Sequence, residues 1–412
     1  MQRSRGATRN AGLIAIVDVD LDYWPAWDEG PLPIETARGQ LSAEARGSYF
    51  NARVAHSLYG SNRAHRSFSP SPIPAGEVTS AELVRVREDR ALLVVHARAD
   101  GGPAEAAEGL AWLVDVTGGA PARSYYEQLL GGAARVPVAM KRAFGLSHVR
   151  LDGPLGTVLP SPAYDAWGAE QQWLWLLASA TPFAAYEPPA TLDAELRAST
   201  VQLSAGWRAL ILRDGASFIG AGTDMGPLYA LSQEPEVHFH SIYLDAFLVG
   251  HVQRMRLTAI ADALAGLGDP VAEPERLALL DQEMTAFRNV YWWQHASAHL
   301  HGTALLAAYQ RQQAIPDLFS QLVDELATFA SRVRIDAEQR TGAFIGLLTI
   351  VGLPYGLSLA VLHAIGEERL EWLIIAMLAS TVVAALLLAT DAGRVLVRQW
   401  HSFVRPRLRS RR

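Results

Sequence analysis

Two long apolar stretches without a formal charge lie near the C-terminus and constrain this chain more than any other feature. Residues 341–365 contain twenty-five residues and no Asp, Glu, Lys or Arg. As a helix they rise about 37 Å, more than the roughly 30 Å hydrocarbon core of a bilayer. Residues 372–390 form a second uncharged run of nineteen. We predict two transmembrane helices; the alternative, two buried helices of a soluble protein, fits neither these lengths nor the flanking charges.

The short connection between the two runs, residues 366–371, predicts a tight hairpin with both ends on one side of the membrane. Three arginines between residues 332 and 340 precede the hairpin, and seven between residues 394 and 412 follow it. The positive-inside rule places both flanks in the cytoplasm. The N-terminal apolar run 11–17 is too short for a signal peptide and is followed at once by aspartates. We expect a multi-pass inner (plasma) membrane protein with both termini cytoplasmic.

Charge and cysteine content exclude some partners and sites. Residues 341–412 contain eight arginines and four acidic residues, so the overall formal charge of −6 leaves −10 on residues 1–340. An acidic region disfavours nucleic acid as a partner. The chain has no cysteine, which excludes disulfides and thiolate metal sites, so packing must stabilise the soluble part.

Mixed strand and helix patterns fill residues 1–240, which we predict to be a cytosolic α/β or α+β domain. The polar turn at 87–90 and the Asp214-Gly215 pair each predict a β-hairpin. The predicted elements are strands at 13–21, 83–86, 92–96, 110–116, 209–212 and 217–219, helices at 125–130 and 167–179, and loops at 67–76 and 181–189.

Residues 241–340 have the character of long helices, and we predict a helical stalk here. Two helices are expected at 242–267 and 275–313, and a third begins near Pro316 and continues unbroken into the membrane. An apolar seam with alternating spacings of three and four runs along this third helix: Phe319, Leu322, Leu326, Phe329 and Val333. The seam indicates either a partner helix from another copy or packing on the preceding helix of the same chain.

The complete order of parts is a cytosolic domain (1–240), a stalk (241–340), a membrane hairpin (341–392) and a basic cytoplasmic tail (393–412). This order resembles the CorA-like family of divalent-cation channels. The resemblance implies a homo-oligomer, a pentamer in that family, that passes Mg²⁺ or another divalent cation passively across the lipid bilayer. The family's Gly-Met-Asn triplet is absent, and the nearest string begins at Tyr355-Gly356. The alternative is a membrane-anchored oligomeric binding or sensor protein of the same architecture without transport.

One face of the first span carries small and weakly polar residues at helical spacing. These pore-lining candidates are Gly342, Gly346, Thr349, Gly356, Ala360 and His363. Backbone carbonyls beside glycine and the Thr349 hydroxyl can replace water around a cation. The alternative is close helix packing, since Gly342 and Gly346 have the spacing of a GxxxG motif.

Two further groups of residues are candidates for cation binding. Glu367, Glu368 and Glu371 at the turn form an outer acidic loop that would attract cations in an oligomer, or they are the polar turn that any membrane hairpin needs. His295 and His299 stand four apart on a predicted helix and could share a metal, or they lie at the stalk surface.

Catalytic motifs are missing from the sequence. It contains no Ser-His-Asp arrangement, phosphate-binding glycine loop or carboxylate pair with usable spacing. Asp18, Asp20 and Asp22 alternate along a predicted strand, where they indicate either an Mg²⁺ site or a solvated edge. We expect a protein that is not an enzyme and has no tightly bound cofactor.

Overall fold

The structure is a computed structural model. It describes residues 11–36, 39–41, 43–151, 153–159, 161–182, 185–220, 235–292, 300–365 and 370–390. The chain forms two compact units, an N-terminal unit of Met1–Ala261 with Glu283–Ser320 and a C-terminal unit of Asp262–Gln282 with Gln321–Arg412. Each unit thus combines two separate segments, and the boundaries predicted at residues 240, 340 and 392 stay predictions.

A mixed sheet dominates the N-terminal unit, and ten of the described strands belong to it. Its order is β10-β11-β12-β9-β1-β7-β6-β5-β2, with β8 also paired to β1, while β3 and β4 pair separately. The strands are β1 Ala11–Leu21, β2 Asp28–Glu29, β3 Ile34–Thr36, β4 Gly39–Leu41, β5 Arg63–Ile73, β6 Gly76–Arg87, β7 Arg90–Ala99, β8 Ala134–Arg135, β9 Phe144–Arg150, β10 Thr200–Gln202, β11 Trp207–Ile211 and β12 Gly215–Gly220.

Twelve α-helices accompany these strands in the described residues. They are α1 Ala43–Gly47, α2 Ala52–Leu58, α3 Pro103–Val114, α4 Pro121–Leu130, α5 Ala169–Ser179, α6 Asp193–Ala198, α7 Pro235–His238, α8 Leu244–Ala265, α9 Pro274–Val290, α10 Leu300–Gln312, α11 Ile315–Ile365 and α12 Leu370–Ala389. A π-helical segment, Phe239–Tyr243, joins α7 to α8. The predicted fold class, a mixed α/β domain followed by long helices, is therefore confirmed.

Strand β1 lies in the middle of the sheet because its apolar residues can be buried on both faces. It pairs antiparallel with β7 and with β9, and the side chains from Ala11 to Val17 are buried. Helices α3 and α5 pack on one face of this sheet. Both predicted hairpins are confirmed, since β6 pairs antiparallel with β7 and β11 with β12.

The predicted strand at 110–116 is wrong, because most of this segment is the end of helix α3. Pro103 occupies the first turn of the helix, and the Glu105 carboxylate accepts a hydrogen bond from the Gly102 N–H. Both features start a helix upstream of the apolar run. A short apolar run fits a buried helix as well as a buried strand, and here the start signal decides.

The predicted loop at 67–76 is also mostly wrong, because β5 extends to Ile73. The strand contains Pro70 and Pro72, and its pairing with β6 shifts register between Ser67 and Ser71. Proline is tolerated in strands at edges and bulges. Only Glu29 and Asp28 of β2 pair with the outer side of β5 in the described residues, so β5 is such an edge.

The helix predicted at 275–313 is not continuous, since α9 ends at Val290 and residue 291 is in a turn. Tertiary contacts hold this turn: the Gln253 side chain donates to the Tyr291 carbonyl at 2.8 Å, and the Trp292 ring stacks on Phe319. These interactions replace the helical hydrogen bonds that the sequence pattern favours.

Helix α11 is continuous over 51 residues, as predicted for the helix that enters the first apolar run. By length and composition it can cross a membrane. Only 6% of an apolar stretch of 18 residues within it is buried. The core helix of a soluble protein would be mostly buried. Helix α12 is apolar over the shorter stretch Ile374–Ala389. One described helix therefore qualifies as a span, not the two predicted.

The apolar seam of α11 is already covered by its own chain at several positions. Leu322 and Leu326 are buried in the single chain. Phe319 packs on Phe287 and Trp292, both within the N-terminal unit. Of the two interpretations of the seam, this arrangement favours packing within the chain.

Candidate functional site

Hydroxyl groups join α11 to α12 within the C-terminal unit. The Tyr355 and Thr381 hydroxyl oxygens lie 2.7 Å apart, and those of Ser358 and Ser380 lie within hydrogen-bond distance. The Ser380 hydroxyl also contacts the carbonyl of Pro354 at 3.2 Å. Ser380 is only 2% exposed. Hydroxyl contacts of this kind hold helices together where water is scarce.

The pore-lining candidates of α11 lie on the side that α12 leaves open. At about 100° per residue, Gly342 and Ala360 lie about 120° around the axis from Pro354, and Gly356 about 160°. A Cβ atom added at Gly342 or Gly356 would meet nothing within 4 Å. Ala360 and His363 are exposed, and Gly346, nearest to the covered side, is half-buried. Gly342 and Gly356 are therefore not used for packing between α11 and α12.

Thr349 lies on the same side of the helix. We call this side, which carries Gly342, Gly346, Thr349, Gly356, Ala360 and His363, the open face of α11. Its hydroxyl donates to the Ile345 carbonyl at 2.9 Å, so the hydrogen is engaged while the oxygen can still accept or coordinate. The apolar Leu353 shares the face by the same helical angle and is 53% exposed. The open face therefore carries small and weakly polar side chains together with the apolar Leu353.

Several predicted cation ligands lie outside the described residues: Glu367, Glu368, His295 and His299. Glu371 is described, and it is exposed in the first turn of α12. Within the described part of the chain, no group of three or more His, Asp or Glu side chains is arranged to hold a metal ion.

The three aspartates of β1 and the turn after it are each engaged by an arginine. Arg254 contacts Asp18 at 2.8 Å. Arg90 contacts Asp20 at 2.8 Å, and Arg135 contacts Asp22 at 3.4 Å. Of the two interpretations, a metal site or a solvated edge, the partly exposed ion pairs of Asp20 and Asp22 favour solvated carboxylates, although β1 itself lies inside the sheet.

A buried network of charged side chains, absent from the sequence predictions, lies between the sheet and α8. Arg63 contacts Glu82 at 2.7 Å and Asp245 at 2.6 Å. Arg46 contacts Asp245 through two guanidinium nitrogens at 2.9 and 3.1 Å. All four side chains are fully buried. Two guanidinium groups and two carboxylates thus balance in charge, as buried ions must.

Polar neighbours complete this buried network. The Tyr59 hydroxyl donates to Asp245 at 2.6 Å, and the Leu32 N–H donates to Glu82 at 2.8 Å. His96 Nε2 lies 2.9 Å from Glu82, and its Nδ1 lies 3.0 Å from Nδ1 of His240. Every carboxylate therefore has several donors, which is the condition for a low cost of burial.

The network shifts the pKa values of its members. Burial alone would raise the pKa of Glu82, but Arg63 and the hydrogen bond from His96 hold it well below its usual range. Burial, and then the charge of Asp245, raises the pKa of Tyr59. Glu82 stays ionised and Tyr59 stays protonated near neutral pH. No member of the charged quartet is exposed, and its ion pairs connect α1, β5, β6 and α8.

Two buried histidines are kept neutral elsewhere in the N-terminal unit. Burial lowers the pKa of His148 to about 3, and its ring stacks on Trp207. Burial also lowers the pKa of His251 well below its usual value, and Arg254 lowers it further. His251 lines a polar cavity of about 250 Å³ together with Asp18, Arg142 and Phe144.

The charged network had one signal in the sequence. Glu82 stands between Ala81 and Leu83 in an apolar strand, and Asp245 between Leu244 and Ala246 at a helix start. An acidic residue inside an apolar run indicates a buried partner.

Comparison with family models, with curated proteins and with solved structures finds no match.

Proposed function

We propose that this protein is a membrane protein of CorA-like architecture in which α11 and α12 both cross the bilayer and several copies together pass a divalent cation passively. The observation that carries the proposal is the open face of α11. Its partner helix is joined to the opposite side through Ser380 and Thr381, so the small and weakly polar residues are left uncovered.

The bilayer makes such a face significant. Lipid chains offer no hydrogen-bond partners, so polar groups in a span face other helices or a water-filled path. Copies of α11 arranged around an axis would turn Gly356 and Thr349 inward while α12 occupies the outside. The exposed leucines and valines of α12 suit lipid contact; Val382, for example, is 58% exposed. In a homo-oligomer the open face of α11 would meet the axis, and the apolar side chains of α12 would meet lipid. The resemblance favours a pentamer.

Under this proposal the acidic residues at the turn lie at the outer mouth, and both termini lie in the cytoplasm. Arginines on both flanks of the hairpin support this orientation. A ring of carboxylates raises the local cation concentration. A cysteine placed at Glu368 of this cysteine-free chain should react with an impermeant thiol reagent added outside intact cells. Reaction only after the membrane is opened would reverse the orientation.

Cation flux into liposomes that contain the purified protein tests the proposal directly. Mg²⁺, Co²⁺ and Zn²⁺ are measured separately for the parent and for Gly356→Leu. A Cβ atom at Gly356 meets nothing within 4 Å in one chain, so a leucine there starts without a clash, but it would narrow a path on the axis. We expect the variant to assemble and to lose flux.

The matched control is Ala385→Leu, which introduces the same leucine side chain at an exposed position of α12, about 140° around that helix from Ser380. Its flux should equal that of the parent. If Gly356→Leu assembles and conducts like the parent, the open face does not line a path. If Gly356→Leu prevents assembly, close packing between copies is the better interpretation of this face.

A second candidate function is an anchored binding or sensor protein that has the same architecture but does not conduct. The observation that favours it is a polar cavity in the N-terminal unit that is lined by arginines. Parent protein that forms an oligomer but passes none of the three cations would select this function over the channel.

A further inference from the structure

An arginine-rich cavity of about 330 Å³ lies in the N-terminal unit where the end of β6 meets α8 and the turn after α9. Its lining includes Arg85, Arg87, Glu88, Arg256, Tyr291 and Asn62. These residues come from four separate segments of the chain. The cavity contains three guanidinium groups and one carboxylate, Glu88, which is exposed at the rim.

Aromatic rings hold two of these arginines in place. The Arg256 guanidinium lies over the Tyr291 ring, 3.8 Å from its centroid, and donates to the Val86 carbonyl at 2.5 Å. The Arg85 guanidinium lies over the Trp24 ring at 4.3 Å. Stacking orients a guanidinium but does not neutralise its charge.

Neither stacked arginine has a carboxylate partner in the part of the chain that the structure describes. Arg87 is different, since it contacts Glu283 at 3.2 Å. The Nε atoms of Arg85 and Arg256 are both buried and make no hydrogen bond there. Burial and the nearby charge of Arg87 lower the pKa of Arg256, against opposing effects of Tyr291 and Glu283. The Arg85 and Arg256 guanidinium groups therefore each lack a paired carboxylate in the described residues.

Several other buried or half-buried arginines of the unit do have a carboxylate partner. Arg46 and Arg63 are neutralised by Asp245 and Glu82. Arg254, in the cavity beside His251, is neutralised by Asp18. A partly buried guanidinium without a counter-ion costs free energy, and both Arg85 and Arg256 are partly buried. An anion that entered the cavity would remove this cost and supply acceptors for the two Nε–H groups.

We propose that this cavity is a binding site for a small phosphate-bearing anion. A phosphate group near neutral pH carries between one and two negative charges, which matches two guanidinium groups without carboxylate partners. Its oxygens accept the paired N–H donors of arginine. A monocarboxylate supplies one charge only. The proposal goes beyond cation transport and does not depend on it, because the site lies wholly in the N-terminal unit.

Isothermal titration calorimetry of the full chain in detergent tests the site, with inorganic phosphate as the first probe and acetate as the monoanion control. Pyrophosphate and AMP are further probes, which distinguish free phosphate from a phosphate ester. We expect saturable binding of at least one phosphate probe, no binding of acetate, and weaker binding as salt rises.

Arg256→Gln should weaken binding of that probe about tenfold or more, because it removes a charge-assisted hydrogen bond. Arg256→Lys keeps the charge and loses the planar fork, so its affinity should lie between those of the parent and the glutamine variant. The control is Arg208→Gln, an exposed arginine paired with Glu170, which should bind like the parent. Circular dichroism of each variant establishes that it is folded.

Failure of phosphate, pyrophosphate and AMP to bind the folded parent protein would overturn the proposal. Equal affinity of the parent and Arg256→Gln would also overturn it, since binding would then lie elsewhere. Neither result bears on cation flux, which is measured in liposomes without these anions. The binding proposal and the channel proposal can therefore fail separately.

Discussion

The two units of this protein place charge and apolar surface in opposite ways. In the N-terminal unit, Arg46, Arg63, Glu82 and Asp245 are inside and paired. In the C-terminal helices, apolar side chains are outside: Leu348 is 63% exposed and Leu386 is 64% exposed. Charge can be buried in a protein that folds in water if every ion is compensated. Continuous apolar surface is stable where the surroundings are apolar too.

This contrast indicates which substitutions each unit should tolerate. The N-terminal unit should be sensitive to the loss of one member of an ion pair and insensitive to changes at its exposed charges. The C-terminal helices should be sensitive to a charge added on the surface. For each expectation, a second position elsewhere in the chain provides a matched control.

The largest effect is expected for Arg63→Met. The substitution leaves Glu82 and Asp245 buried with fewer partners, and removal of one member of a buried pair costs about 3–5 kcal/mol. Denaturant unfolding of the detergent-solubilised chain, followed by tryptophan fluorescence, measures the change, since Trp167 and Trp207 are buried in this unit. The control Arg208→Met breaks an exposed pair and should cost no more than about 1 kcal/mol. Equal losses in the two variants would mean that the network is not a stabilising element.

The next effect concerns the exposed apolar surface of α12. Leu378→Arg should impair membrane insertion by about 2.5–3.5 kcal/mol if residue 378 meets lipid. Leu279→Arg is the matched control, because Leu279 on α9 is 65% exposed and Leu378 is 61% exposed. The measurement is the fraction of protein in sedimented membranes. Full membrane recovery of Leu378→Arg would remove the case for α12 as a span.

The smallest effect is a pH dependence from the neutral histidines. Below about pH 6.5 the unfolded chain binds protons on these imidazoles, while the native state, with the pKa of His148 lowered to about 3, does not. The native state thus binds fewer protons, so stability falls as pH falls, by about 1.4 kcal/mol per pH unit for one such histidine. Unfolding measured between about pH 7.5 and 5.5 avoids most carboxylate titration.

His148→Phe keeps a ring against Trp207 and removes the titration, so it should flatten the dependence of stability on pH. His56→Phe, at an exposed position, should leave the dependence unchanged. An unaltered slope in His148→Phe would show that this imidazole is protonated in the native state as readily as in the unfolded chain.

Local features of the fold were predictable, and long-range ones were not. The hairpin at Asp214-Gly215 follows from turn chemistry in adjacent residues. The assignment of 110–116 to a strand failed because the helix start at Pro103 lies upstream of the apolar run. The Arg46 and Asp245 pair joins residues 199 positions apart in the chain, and no local pattern specifies which arginine a buried aspartate will meet.

The candidate site divides in the same way. Helical spacing alone groups Gly342, Gly356 and Ala360 on one face, because a helix repeats every 3.6 residues. Which face of α11 is covered by α12 depends on the contact of Ser380 with Ser358 and Pro354. The sequence contains several other hydroxyl residues that could have made such a contact, so it does not specify this face. The stacked pair Arg256 and Tyr291 depends on the turn that interrupts the predicted helix at 275–313.

The edge strand β5 also limits how copies of this protein can aggregate. Pro70 and Pro72, two residues apart on the open part of this edge, cannot donate a backbone hydrogen bond. An incoming strand, whether from a misfolded neighbour or a growing fibril, would find two donors missing along the segment where β2 gives no cover. The sheet is therefore protected against extension on this side.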